Sequence, residues 1–153
     1  MNGNGLSIIK RDGSKEKLNL DKIHKMVEAA CKGINGVSAS QVEMSANLSF
    51  YDGMTTQEIQ ETLIKSASDL ISLDAPNYQY VASRLLLFAI RKDVFNTKWK
   101  DSKIYPPLKD IVERNIENGV YDKNLINYYD EDEWKKLNSF LNHKRDMLFA
   151  YAG

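Results

Sequence analysis

Apolar and polar positions at the start of the chain predict two short strands joined by a tight turn. Residues 8–9 are an apolar pair, and a second short segment, Lys15–Asn19, follows Asp12 and Gly13. An Asp-Gly pair between two short extended segments is a strong hairpin signal, because glycine adopts the left-handed backbone that such turns require. We therefore predict a β-hairpin over residues 7–20.

Apolar residues then recur at intervals of three and four, which predicts amphipathic helices. The first helix begins with Asp21 as its cap, and the second is capped by Ser38 or Ser40. Thr55 followed by Glu58 is a capping-box pattern, which opens a third helix.

A fourth helix, from about Tyr78 to Phe95, is apolar almost all round and should form the buried centre of a bundle. Residues 6–96 are thus predicted to be mostly α (α+β), with a small N-terminal β-hairpin cap on a four-helix bundle. Residues 97–107 are polar, end in two prolines and resemble a linker. Residues 108–153 form a short helical extension.

The extension shows two further helix signals. Residues 108–118 are stopped by Gly119, and the acidic run 130–133 suits the positive end of a helix dipole. The apolar residues 147–151 stand almost at the end of the sequence, and such a run is expected to need a packing partner.

Composition agrees with a folded domain and excludes several classes of protein. Hydrophobic residues are 42% and charged residues 27% of the chain, which argues against disorder. Lys+Arg and Asp+Glu both number 21, so the chain lacks the basic excess of nucleic-acid binders. The longest apolar run, residues 85–90, is too short to span a bilayer, and the polar N-terminus is unlike a signal peptide. We expect a cytoplasmic protein without nucleic-acid or membrane partners.

Patterns for common catalytic sites are missing from the sequence. It has no G-x-x-x-x-G-K-[ST] loop, no G-x-G-x-x-G after a strand and no H-E-x-x-H pair. His24 and His143 lie far apart without cysteines beside them, so no metal site is expected. Cys31, the one cysteine, falls on the apolar stripe of the first helix, which favours a core thiol over a nucleophile.

Positive charge is concentrated near the hairpin, where six cations and three acids lie within the first 25 residues. The cations are Lys10, Arg11, Lys15, Lys17, Lys22 and Lys25. Lys and Arg side chains beside free backbone N–H groups can bind a polyphosphate. A solvated hairpin face explains the charge equally simply, and both interpretations stay open on charge alone.

Several segments, in order along the chain, resemble the ATP-cone domain and the helical region that follows it in class I ribonucleotide reductase large subunits. These segments are residues 9–14, 19–23, 50–56 with Ile59, 74–84, 119–122 and 143–147. Each is a weak motif alone, but their order and spacing are specific. The resemblance covers essentially the whole chain.

The resemblance implies an allosteric switch in which ATP permits reductase turnover and dATP stops it. ATP or dATP, with Mg²⁺, is therefore the expected effector. Lys10, Arg11 and Lys22 would contact the triphosphate, and Lys92 would reach in from the last helix. The other implied site residues are Glu16 and Asn19 for the adenine and ribose, Thr56 near the base, and Ile8, Ile23, Phe50 and Ile59 as apolar walls.

The sequence departs from the family at two positions. Gln60 stands where many family members carry a histidine in the nucleotide pocket. Ala89, on the last helix, stands where some members carry another histidine. These departures bear on the response to dATP more than on nucleotide binding itself. Ile23 and Ile59 also lie on core stripes and Phe50 at a helix end, so packing alone is an alternative role for all three.

The implied partners are the remainder of the large subunit, on the same or a separate chain, and the small radical-generating subunit. Together they would supply deoxyribonucleotides for DNA replication. Reduction needs at least three cysteines, so no catalytic residue is assigned to a chain with Cys31 alone. One alternative is a free-standing nucleotide-sensing module. Another is a repressor that joins a zinc ribbon to a cone, but its four cysteines are missing here.

Overall fold

The strands and helices come from a computed structural model that describes residues 5–95 and 105–151. The elements, in chain order, are β1 (Ser7–Ile9), β2 (Lys15–Lys17), α1 (Leu20–Cys31), α2 (Ala39–Asn47), β3 (Met54–Thr55), α3 (Thr56–Asp69), α4 (Tyr78–Phe95), α5 (Leu108–Glu117) and α6 (Glu131–Ser139). Two 3-10 helices, Lys123–Asn127 and His143–Leu148, lie on either side of α6. The predicted fold class, mostly α with an N-terminal hairpin, is confirmed.

The hairpin pairs β1 with β2 in antiparallel register, so that Ile9 lies opposite Lys15. The Lys10 amide donates to the Ser14 carbonyl at 2.8 Å, and the Gly13 amide donates to the Lys10 carbonyl at 2.9 Å. Gly13 has a φ of 79°, a left-handed conformation that a residue with a Cβ adopts only under strain. The glycine therefore allows the sharp turn that the sequence predicts.

A third strand, β3, was not predicted from the sequence. It pairs in parallel with β1, placing Met54 opposite Ile8 and Thr55 opposite Ile9, so the sheet order is β2-β1-β3. The Asp52 carboxylate accepts a hydrogen bond from the Ser7 amide at 2.7 Å and anchors the chain just before β3. A two-residue strand is too short to show a period of its own, and its partner is distant in sequence.

The helix caps follow the sequence with one exception. The prediction that Asp21 caps α1 was wrong, because Asn19 is the cap and its side-chain oxygen accepts from the Lys22 amide at 3.0 Å. A cap needs an extended backbone, which Asn19 has, whereas Asp21 is already helical and places its charge in the first turn. The caps at Ser38 and Thr55 are confirmed, the latter as a full capping box.

The core lies among α1–α4, and α4 packs against both α3 and α1. The largest completely buried side chains are Leu63, Leu85, Val27, Val42 and Val81. Each buried side chain of this size contributes about 1.5–3 kcal/mol relative to an exposed one. The central position predicted for α4 is confirmed, since it contributes to the core along most of its length.

The extension has a much smaller core. Among the described residues from 105 onward, Val112 and Trp134 are the ones classed as buried. Gly119, with a φ of 71°, follows the end of α5, and Asp130 caps α6 through a capping box, as the sequence predicts. Residues 97–104 of the predicted linker lie outside the described part of the chain.

The apolar residues near the end of the sequence contact α4 in part. Met147 packs against the core and its carbonyl accepts from Arg84 Nε at 3.3 Å, while the Tyr151 amide donates to the Gln79 carbonyl at 3.2 Å. Leu148 is 71% exposed, so only part of this run finds a neighbour. Within the described residues, no helix combines the length and apolar character needed to cross a membrane.

Candidate functional site

The sheet brings two functional segments to one edge. Because β1 and β3 are parallel, the chain leaves both strands on the same side, with Lys10 directly after β1 and Thr56 directly after β3. Thr56 is the first residue of α3, and the first turn of a helix carries a partial positive charge. The Thr55 hydroxyl already accepts from the Glu58 amide in this turn. This edge is therefore suited to an anion.

Glu16 lies between two of the predicted phosphate ligands. Its carboxylate is 2.6 Å from Lys10 Nζ and 3.8 Å from Lys22 Nζ. The hydrogen bond to Glu16 and its negative charge raise the pKa of Lys10, and the hydrogen bond from Lys10 lowers the pKa of Glu16. Without a ligand, Glu16 thus acts as the counter-charge for both lysines, whereas the sequence placed it near the adenine.

Arg11, at the hairpin turn, forms an ion pair with Asp93 near the end of α4. Partial burial and the neighbouring positive charge of Arg11 both lower the pKa of Lys92. Arg11 and Lys92 are therefore close enough for their charges to interact, and an anion bound by both would favour the charged form of Lys92. The site cations are Lys10, Arg11, Lys22 and Lys92. We call these four residues the cation cluster.

Asn19 has one atom already engaged, since its side-chain oxygen caps α1. Its amide nitrogen remains as the group that could meet a base or a ribose. The structure therefore places Asn19 beside Lys22, at the start of α1, and leaves its predicted contact with the nucleoside as an expectation.

Gln60 lies between α3 and α4. It stands one turn after Thr56 on the same face of α3, and its side-chain nitrogen donates to the Leu85 carbonyl of α4 at 3.0 Å. Ala89 and Lys92 follow Leu85 at intervals of four and seven residues and so share that face of α4. Helical spacing thus directs Thr56, Gln60 and Lys92 toward one region.

The predicted apolar walls belong mainly to the core. Ile8 and Ile23 are 7% exposed and Ile59 is 6% exposed, and all three are members of the core cluster. Phe50 is half-buried and packs against the same cluster. Packing accounts for most of their buried surface, and only their edges could contact a ligand.

Comparison with known proteins reveals the family. The sequence model of the ATP cone domain matches residues 6–93, which is more than half of the chain. The chain belongs to the ATP-cone family. ATP cones are nucleotide-binding regulatory domains, and the resemblance inferred from the sequence is confirmed.

The cone and its extension are also similar to reductase subunits. The chain is 48% identical to ribonucleoside-diphosphate reductase 1 subunit alpha of Escherichia coli (strain K12), over 99% of this chain and 19% of that protein. Identity is 48% over 96% of the chain to the subunit of the same name from Salmonella typhimurium, and 38% over 97% to the alpha subunit of Helicobacter pylori (strain 26695). The chain spans about a fifth of the length of these relatives.

Two features of the cone were missed from the sequence or remained open there. Asp93, the partner of Arg11, was missed. Its position next to Lys92, which the resemblance assigns to the site, could have indicated that it also lies there. Cys31 is half-buried at the end of α1, and burial raises the pKa of its thiol to about 11. The thiolate is therefore scarce at neutral pH, which argues against a nucleophile.

Proposed function

We propose that this ATP cone binds ATP or dATP, as a magnesium complex, and thereby regulates a ribonucleoside-diphosphate reductase large subunit. The observation that carries the proposal is the cation cluster, in which Glu16 lies between Lys10 and Lys22 and Asp93 holds Arg11 next to Lys92. Lys10 follows β1 at the sheet edge where α3 begins. Cations and backbone N–H groups that converge on one place suit the phosphates of a nucleotide.

The ion pairs around the site present little obstacle to such a ligand. Lys10, Arg11 and Lys22 are 42%, 46% and 70% exposed, and exposed pairs contribute about 0–1 kcal/mol each. Hydrogen bonds between cations and phosphate oxygens are about twice as strong as neutral ones. The pairs with Glu16 and Asp93 are charge-assisted too, but a triphosphate carries more negative charge than either carboxylate and can contact several of these cations at once.

Discrimination between ATP and dATP depends on one ribose hydroxyl. A single neutral hydrogen bond contributes about 0.5–1.5 kcal/mol, which corresponds to a two- to tenfold preference. The side-chain nitrogen of Gln60 is already engaged with the Leu85 carbonyl, so its oxygen remains as an acceptor. We therefore propose only a modest preference for dATP over ATP in this cone.

The proposed regulatory partners follow from the relatives, which are reductase alpha subunits of about five times this length. We propose that the cone acts on the remainder of a large subunit and on its association with the small radical-generating subunit. Mixing a large subunit that carries this cone with the small subunit should give assemblies whose mass differs between ATP and dATP. Identical mass distributions would contradict this part of the proposal.

Nucleotide binding is tested by calorimetric titration and thermal unfolding, with and without Mg²⁺. At a nucleotide concentration about a hundredfold above Kd, binding should add about 2.7 kcal/mol of stability, a Tm rise of roughly 5–10 °C. Arg11→Gln should weaken ATP and dATP alike by about tenfold or more. Lys25→Gln removes the same charge from an exposed position outside the cation cluster and serves as the control. No heat and no Tm shift at millimolar ATP would reject the proposal.

A further inference from the structure

The last turns of α4 make contacts in two different directions. Asp93 holds Arg11 of the hairpin. Arg91, which is 8% exposed, donates from Nε to the Tyr105 hydroxyl at 2.7 Å and lies 3.4 Å from the Asp146 carboxylate. Two residues along a helix correspond to a rotation of roughly 200°, so Arg91 and Asp93 point to nearly opposite sides.

Tyr105 is the centre of the second set of contacts. Its hydroxyl donates to Asp146, and its ring stacks on that of His143 with a centroid distance of 3.4 Å. The Arg91 guanidinium lies 5.1 Å from the centre of the Tyr105 ring. We call Arg91, Tyr105 and Asp146 the α4 latch, because they fasten the 3-10 helix His143–Leu148 to α4.

The latch joins the cone to a segment outside it. The family match ends at residue 93, whereas Tyr105 and Asp146 lie beyond it. Arg84, two turns before Arg91 on the same face of α4, holds the Met147 carbonyl of the same 3-10 helix. The face of α4 that carries Arg84 and Arg91 thus contacts the extension, although Arg84 also donates to the Ala30 and Lys32 carbonyls of the cone. The end of α4 that carries Lys92 and Asp93 contacts the hairpin through Arg11.

We propose, on the basis of the nucleotide binding proposed above, that the last turns of α4 couple the cation cluster to the α4 latch. Without nucleotide, one exposed ion pair, Arg11 with Asp93, connects the end of α4 to the hairpin. A triphosphate bound by Arg11 and Lys92 together would add contacts at that end and fix it more firmly. Arg91 is then held in the position from which it reaches Tyr105, so nucleotide binding and latch closure stabilise each other.

Coupling of this kind is reciprocal. If nucleotide stabilises the latch by some factor, loss of the latch must weaken nucleotide binding by the same factor. Allosteric couplings are commonly about 5- to 150-fold, and loss of a single hydroxyl should fall at the low end. We therefore expect Tyr105→Phe to raise the Kd for ATP about fivefold, although Tyr105 has no contact with the cation cluster among the described residues.

The experiment uses the whole chain and magnesium ATP as the probe. ATP titrations are compared for the wild type, Tyr105→Phe and Asp146→Asn, with Tyr128→Phe as a matched control at an exposed tyrosine. Hydrogen exchange of residues 143–151 is followed with and without ATP. In the wild type and the control, ATP should slow this exchange, whereas both latch variants should bind ATP more weakly and lose the effect.

The outcomes separate this inference from the proposed function. A latch with a purely structural role would lower stability in the variants and leave the Kd for ATP unchanged, and that result would overturn the coupling while nucleotide binding stands. A wild type that fails to bind ATP contradicts the proposed function, and the coupling with it. If Tyr105→Phe is unfolded by circular dichroism, Asp146→Asn decides by the same two measurements.

Discussion

The carboxylates of Glu16 and Asp93 pair with the cations that a triphosphate would contact, so these side chains are oriented before a ligand binds. Glu16 contacts Lys10 and Lys22, and Asp93 contacts Arg11. Each carboxylate keeps its cations near the sheet edge before any ligand arrives. Orientation that exists beforehand lowers the cost of ordering long side chains on binding.

Gln60→His restores the residue type that the family commonly carries and should change the ratio of the two affinities. The imidazole cannot reproduce the side-chain hydrogen bond to the Leu85 carbonyl in the same geometry, and its rigid ring would contact the ribose of the proposed ligand differently. Competition titrations on both proteins measure the ratio of the Kd values for ATP and dATP. We expect the wild type to prefer dATP by about two- to tenfold. An unchanged ratio, or a hundredfold preference for dATP in the wild type, would exclude Gln60 from the discriminating contact.

Lys92 should make nucleotide binding sensitive to alkaline pH. Its pKa lies below the usual value of 10.5 because of burial and the charge of Arg11, so it loses its proton earlier than other lysines. The charged form binds phosphate, so affinity should be constant near neutral pH and fall as pH rises through that lowered pKa. In Lys92→Arg the charge persists, and titrations from pH 7 to 10 should show a flatter profile. The same decline in both proteins would assign it to another group.

His24 should make the stability of the α1–α2 pair depend on pH. Its ring lies 2.9 Å from Glu43 and 3.3 Å from Glu28, and the hydrogen bond with Glu43 raises its pKa. A pKa raised on folding stabilises the protein fully below the unfolded value of about 6.5, and this contribution disappears as pH rises through the folded pKa. Urea unfolding between pH 5.5 and 8.5 should therefore show a decline in stability that His24→Gln reduces. Equal slopes in both proteins would contradict it.

At the scale of elements, the sequence predicts the helices well and the sheet in part. The apolar stripes and the capping box at Thr55 involve residues only a few positions apart, so they can be recognised without knowledge of the tertiary fold. Strand β3 could not be predicted, because two residues become a strand only through pairing with β1. The cap of α1 was assigned two residues late, since Asn19 and Asp21 both have side chains suited to a cap.

Thr55 ends β3 and caps α3, so its loss should affect both elements. Thr55→Ala removes the hydroxyl that accepts from the Glu58 amide at 3.1 Å and should cost about 1 kcal/mol, or a Tm decrease of roughly 2–4 °C. ATP affinity should also fall, because α3 begins at the proposed site. Asp130→Ala removes the cap of α6 by the same chemistry, and we expect it to lower stability without a change in ATP affinity.

At the scale of the whole molecule, the two parts of the chain should differ in protection from hydrogen exchange. The cone has a continuous core among α1–α4, whereas Val112 and Trp134 are the buried side chains of the described extension. Amides of α5 and α6 should exchange before those of α3 and α4. Exchange followed by mass spectrometry measures this difference. Uniform strong protection would mean that the extension completes a single cooperative unit.

The candidate site was predictable as a set of cations and only partly as an arrangement. Lys10, Arg11 and Lys22 stand out in the sequence because they lie within a short segment. Asp93 lies far from Arg11 in sequence, and Tyr105 and Asp146 lie beyond α4, so only the tertiary fold brings these partners together. Arg84 and Arg91 lie within an otherwise apolar helix. Because a buried guanidinium needs hydrogen-bond acceptors, these arginines could have indicated that this face of α4 contacts another segment.

The parallel pairing of β1 with β3 also determines the stage of folding at which the proposed site forms. Ile8 pairs with Met54, so α1 and α2 lie within the loop that this contact closes. Contacts between distant residues form late, after their closure entropy has been offset by local structure. On a chain emerging from the ribosome, the hairpin appears first. The cation cluster is complete only after Lys92 has been synthesised. A nucleotide bound as proposed would therefore slow unfolding of the finished cone and would make few contacts while the cone is still folding.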